Sequence, residues 1–197
     1  MARIKHTKNE LKAQREALAR FERFLPMLQL KKQQLQMEIQ KTAAAAAEVE
    51  REEAGIHGKL KPWVRLFSEP AGVEQFVELT DVFMEEGNIA GVTIPVLKEA
   101  VIRRCDCDLF ATPTWVDDAV VVLEDLIRLR VKREILNEQQ RLIEEELRIT
   151  AQRVNLFEKV KIPEARENIR IIKIFLGEEQ TAAVVRGKLA KKLTQAA

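Results

Sequence analysis

A chain of 197 residues with 32% charged and only 5% aromatic residues, and no tyrosine, is too polar for a broad packed core and suits long solvated helices instead. Its formal net charge of +2 implies no strongly electrostatic partner from the total alone, which weighs against a nucleic-acid binder. The opening Met-Ala-Arg-Ile-Lys-His lacks the apolar core of a signal peptide, and no apolar run approaches the roughly 20 residues that span a bilayer, so a cytosolic chain without direct membrane insertion is expected.

The first predicted element is a helical arm from Thr7 to about Glu53. Thr7 with Glu10 forms a capping box that satisfies the first free backbone N–H groups. Beyond it one seven-residue column reads Ile4, Leu11, Leu18, Leu25, Lys32, Ile39, and its companion reads Gln14, Phe21, Leu28, Leu35, Thr42, Val49. Two such columns are the seam of a coiled coil. Pro26 removes a helical hydrogen bond and predicts a bend. The run Ala43 to Ala47 favours helix and also admits close approach by a neighbour.

From Gly55 the composition changes, and five of the seven glycines and four of the six prolines fall between Gly55 and Pro113. The stretch Ser68 to Gly72 predicts a turn, Val73 to Met84 an apolar run, and Glu85-Glu86-Gly87-Asn88 a second turn. Val92, Ile94 and Val96 then alternate with Thr93 and Pro95, the period of a strand. Pro95 cannot donate to a ladder, so that strand is placed at an edge of a small β-hairpin.

The second arm is a helix from Thr114 to about Lys192. Its seam takes Leu136, Ile143, Thr150, Phe157, Glu164, Ile171, Glu178, Val185 and Gln140, Leu147, Val154, Lys161, Asn168, Phe175, Ala182, Leu189. Where the strict repeat meets Lys161, Glu164 or Asn168, an apolar neighbour (Val160, Ala165, Ile169) stands one position away, which reads as a gradual drift of a 3.6-residue helix against a 3.5-residue pattern. A helix of about 80 residues is roughly 115 Å long and needs a partner helix along it. The first arm is that partner, and pairing Thr7 with Gly187 puts Pro26 opposite Asn168, close to Pro163. The opening, Trp115 to Val131, is apolar over a face too wide for one partner, so the middle segment is expected to cover it.

The predicted fold is therefore mainly α: a long antiparallel two-helix coiled coil (residues 1–54 and 114–197) with a small α+β head (residues 55–113) that contains the β-hairpin. The expected seam comprises Leu11, Leu18, Phe21, Leu25, Leu28 and Leu35 on the first arm with Leu136, Ile143, Leu147, Val154, Phe157, Ile171 and Phe175 on the second. Arg3, Lys8, Arg186, Lys188, Lys191 and Lys192 make the helix ends basic, either as solvated termini or as a contact surface.

The sequence holds no constellation for chemistry and no cofactor is expected. Gly187-Lys188 lacks the upstream glycine and strand of a phosphate loop. Neither of the two histidines, His6 and His57, stands near the other in sequence, which disfavours metal or triad chemistry. Cys105 and Cys107 offer two thiolates with no second pair for zinc, and a disulfide between them would be strained. Asp117-Asp118 and Glu144 to Glu146 read as solvated helix faces.

Three blocks in this order carry a family resemblance: Leu25-Pro26-x-Leu28-x-Leu30-Lys31-Lys32, Asn88-Ile89-Ala90-Gly91-Val92-Thr93-Ile94-Pro95, and Arg153-Val154-Asn155-x-x-Glu158-x-Val160-x-Ile162-Pro163. Over nearly its whole length the chain resembles the D subunits of the V/A-type rotary ATPases, departing from the pattern at Gln152 and at Thr181-Ala182-Ala183. The resemblance implies a non-catalytic central-stalk component, peripheral to the membrane on the cytoplasmic side. It would carry torque between the hexamer of nucleotide-binding A and B subunits and the ion-translocating ring. It further implies that the basic tip enters the hexamer, that the small F subunit packs on the side of the shaft, and that the head meets the subunit capping the ring. The hairpin residues Ile89, Ala90, Gly91, Val92, Ile94 and Pro95 would help to bind the F subunit or tune turnover, or would only close the head. A prefoldin-like holdase also joins two helices through a β-hairpin, and a basic-tipped coiled-coil scaffold is a further alternative. The polar tips here argue against client binding.

Overall fold

Thr7 Oγ1 accepts a hydrogen bond from the Glu10 backbone N–H at 3.2 Å, and a helix begins at the next residue. In the computed structural model, which describes residues 5–69, 71–105 and 112–195, this helix α1 spans Lys8–Leu60 without a break, Pro26 included. It is followed by 3₁₀ turns at Val64–Ser68 and Val73–Gln75, strands β1 (Val77–Ile89) and β2 (Val92–Arg104), and helix α2 (Trp115–Leu156). A π-helical turn, Phe157–Lys161, then leads into helix α3 (Ile162–Gln195). The chain divides into two compact units, Met1–Lys32 with Ile149–Ala197, and Gln33–Arg148.

In the first unit the start of α1 packs antiparallel to the end of α2, the π turn and α3. The tilted His6 and Phe175 rings have centroids 4.7 Å apart, Asn168 meets Gln14, Arg166 pairs with Glu22 at 2.7 Å, and the Phe21 and Phe157 ring centroids are 5.2 Å apart. The expected register is thereby corrected: Asn168 faces Gln14 rather than Pro26, and Phe21, not Pro26, lies against the π turn. On α3 the buried residues are Ile162, Ala165, Ile169 and Ile172, and Leu176 is half-buried.

That face stands one residue ahead of the column predicted from Phe157. Ile171 and Phe175, expected in the seam, are 37% and 42% exposed, and Ile172 and Leu176 take their places. The cause is a discrete step rather than a drift. In the π turn the Ile162 N–H reaches back to the Phe157 carbonyl, five residues instead of four, and the extra residue advances every later side chain by one position. Pro163 follows at once; it has no N–H to give, and its ring would clash with the carbonyl four residues earlier in a regular helix.

In the second unit α1 runs past Gly55 and Gly58 to Leu60, beyond the expected stop near Glu53. Buried Leu60 anchors the end, and Trp63 Nε1 donates to the Lys59 carbonyl at 3.1 Å. Here α1 packs antiparallel to α2, with Leu35 against Ile143 at one level and Glu53 paired with Arg133 at another. The wide apolar opening of α2 is covered: Val116, Ala119 and Val120 are fully buried with Val73 and Val77, under Trp63, Phe67, Phe76 and Ile102.

The hairpin is longer than the sequence period indicated, and its turn lies elsewhere. Glu85-Glu86-Gly87-Asn88, expected as a turn, is strand, paired with Val96, Pro95, Ile94 and Thr93. The reversal is Ala90-Gly91, with φ of 51° and 80°, the left-handed pair that a two-residue hairpin loop needs, and Asn88 Oδ1 accepts from the Gly91 N–H. Gly87 serves packing, since a Cβ there would lie 2.8 Å from Val96 Cγ2. With only two strands, both are edges, which accommodates Pro95.

Candidate functional site

Each expected basic residue among the described ones is exposed. Lys8 opens α1, and Arg186, Lys188, Lys191 and Lys192 lie on the last turns of α3, where every residue from Gly177 to Gln195 is exposed. Val184, Val185, Leu189 and Leu193 share that stretch, so it offers apolar as well as cationic side chains. Arg3 lies outside the described residues, as does Cys107; Cys105 is exposed.

The hairpin tip is docked rather than free. Ile94 is buried with Leu35 and Ile143, and Ile39, Ile89, Ala90, Val92 and Leu147 close around them. Gln139, itself buried, donates its Nε2 to the Pro95 carbonyl. Gly91 is exposed at the reversal. Phe83, Met84 and Val96 are exposed on the hairpin, where Lys98 forms an ion pair with Glu85.

Of the seam residues, Leu11, Leu18, Phe21, Leu25 and Leu28 are half-buried on α1 and Leu35 is fully buried. Ile143 and Val154 are buried, and Leu136, Leu147 and Phe157 are half-buried. Thr150 is 1% exposed, and its hydroxyl has no hydrogen-bond partner. Val160, expected to continue the stripe in place of Lys161, is instead exposed while Lys161 is half-buried, and Phe24, Met27 and Leu156 of the first unit are also about half exposed outside the seam. Phe24 and Val160 flank the seam columns, and Met27 and Leu156 lie on the outer face, all at positions that solvated coils fill with polar residues.

Two hydrogen bonds from Arg141 hold the Glu138 carboxylate below its ordinary range, and Arg170 does the same for Glu167. Among the described residues no three His, Cys, Asp or Glu side chains gather to hold a metal ion, and no helix is long and apolar enough to cross a membrane.

With two antiparallel helix pairs and one docked hairpin in place, comparison with known proteins decides the family. The family model of the ATP synthase D subunit matches residues 10–192. The chain belongs to the ATP synthase D-subunit family. It is 46% identical to the V-type ATP synthase D subunit of Borreliella burgdorferi over 97% of this chain and 95% of that protein. The V-type ATP synthase D subunits of Chlamydia muridarum and Chlamydia pneumoniae are 36% and 34% identical, over 98% and 96% of this chain and 97% and 92% of theirs. In this member of the D-subunit family, the Arg153 to Pro163 block coincides with the end of α2, the π turn and the start of α3.

Proposed function

We propose that this D-subunit family member is the central rotor shaft of a V/A-type ATPase and carries torque between the nucleotide-binding hexamer and the ion-translocating ring in the membrane. The observation that supports this reading best is the antiparallel pairing of long helices in both units. Two helices locked along a seam resist bending and twisting better than one, as a coupler requires. In this reading nucleotide chemistry stays on the A and B subunits, and the chain itself is not a catalyst. Lys8, Arg186, Lys188, Lys191 and Lys192, with Arg3, face the hexamer. The small F subunit packs on the side of the coil, for which Phe24, Met27, Leu156 and Val160 supply apolar surface. The head meets the subunit capping the ring, and the hairpin helps to bind the F subunit or sets turnover. The protein then sits on the cytoplasmic side, held at the membrane through its partners.

The test is to tag the chain in its own cell, solubilise membranes gently and identify what co-purifies. Recovery of two nucleotide-binding subunits and a proteolipid ring is expected. Recovery of unfolded clients or nucleic acid without ATPase subunits would overturn the reading.

A further inference from the structure

The near-zero total charge conceals a segregation between the two units. Met1–Lys32 with Ile149–Ala197 contains nineteen lysines and arginines against eight glutamates, a formal excess of +11. Gln33–Arg148 contains fourteen against twenty-three carboxylates, an excess of −9. Four of the first unit's eight glutamates are already held within it: Glu16 by Lys12, Glu22 by Arg166, Glu164 by Lys161 and Glu167 by Arg170.

The excess is not a patch. Arg15, Arg20 and Arg23 are exposed at different outward positions around α1, and Lys159, Arg170 and Lys173 are exposed on the antiparallel strand of the coil. A flat partner would meet one side of such a coil and leave the other cations unmatched. An excess of like charge in one unit repels itself wherever neighbours come within the Debye length of about 8 Å, which disfavours the unit in isolation.

We infer that this unit is received by a protein partner that surrounds it and is lined with carboxylates, and that the charge excess steers its entry. The inference rests on the rotor-shaft reading, in which the partner is the nucleotide-binding hexamer, and adds the chemistry of that contact. The same lining repels the acid-rich unit, Gln33–Arg148, so opposite charging also selects which unit enters. The recognising chemistry is carboxylate against guanidinium and ammonium, spread around the coil, rather than one specific ion pair.

The experiment uses the full chain and the purified hexamer lacking this shaft, with association rate followed as NaCl is raised. Between about 50 and about 300 mM NaCl the rate is expected to fall at least about tenfold. Reversal of five outward cations together (Arg15→Glu, Arg20→Glu, Arg23→Glu, Lys159→Glu, Lys173→Glu) should slow association about a hundredfold. Glutamine at the same positions should give a smaller loss, with circular dichroism verifying the fold of both variants. Lysine in place of Glu48, Glu50 and Glu52 in the other unit should not slow it. Binding that ignores both salt and reversal would overturn the inference and leave the rotor-shaft reading standing. Failure to bind the hexamer at any salt, with or without capture of transfer RNA, would overturn both.

Discussion

Removing one residue from the π turn should be nearly harmless, although removing one from an ordinary stretch of the same helix should not. Without the turn, a straight helix continuing from Phe157 would aim Glu164, Asn168 and Ile171 into the seam where Ala165, Ile169 and Ile172 are now buried. Burying an isoleucine stabilises by about 1.5–3 kcal/mol, whereas the weakened backbone hydrogen bond of a wide turn costs about 1 kcal/mol. The seam therefore dictates the turn. Deleting exposed Lys159 takes out the extra residue and lets a regular helix keep Ile162, Ala165, Ile169 and Ile172 where they are. The deletion is made with Pro163→Ala, so that the proline ring does not itself oppose the regular helix. Relative to Pro163→Ala alone, we expect a change within about 1 kcal/mol in chemical denaturation followed by helix circular dichroism. Deleting Arg170 in that background displaces Ile172, now 0% exposed, and Leu176, and should cost about 2–4 kcal/mol. Equal losses from the two deletions would refute the idea that the π turn exists to keep the seam.

Thr150→Val replaces the unpartnered buried hydroxyl with a methyl group and should stabilise by about 1 kcal/mol in the same assay. Ala90→Gly removes the strain of a positive φ and should stabilise by about 1 kcal/mol, whereas Gly87→Ala should loosen the hairpin because its Cβ meets Val96. Ile94→Ala should cost about 2–4 kcal/mol and raise amide exchange over Ile89 to Pro95, locating the loss at the docked tip. In an NMR titration Glu138 and Glu167 should protonate below the ordinary glutamate range. Any stability they give is then present above the unfolded pKa and lost as pH falls through the lowered one.

The heptads were the clearest text in the sequence, because burial along a paired helix recurs every three or four residues and Leu11 through Leu35 obey that spacing. The step at Phe157–Lys161 showed only as apolar neighbours one place late, at Ala165 and Ile169. A one-residue insertion and a slow drift leave the same trace over so short a span, and only backbone geometry separates them. The hairpin was legible at Val92 to Val96, where one face is buried, and misleading at Glu85 to Asn88. A strand that shows both edges to water can be polar, and Gly87 is there for a cross-strand contact that no spacing announces. Of the candidate site, the basic helix ends were plain, but the outward Phe24, Met27 and Leu156 lie off the period that marks the seam and so escaped it, and Val160, one place early beside Lys161, was misassigned to the stripe. The charge segregation was hidden by the sum, which cancels what the two units hold separately.

The hairpin also changes the mechanics of the unit that contains it. Two parallel struts joined only along a seam can shear, one sliding lengthwise past the other, with little resistance from side chains that simply change neighbours. Here a third member spans them. Its base is built into the apolar cluster of Val77, Val116 and Val120, and its tip is fixed by Ile94 and by Gln139 against residues of both α1 and α2. Sliding one helix then stretches or compresses two hydrogen-bonded strands of thirteen residues each. The hairpin acts as a tie: it couples both helices to one element and so opposes their sliding at the place where the head joins the helices.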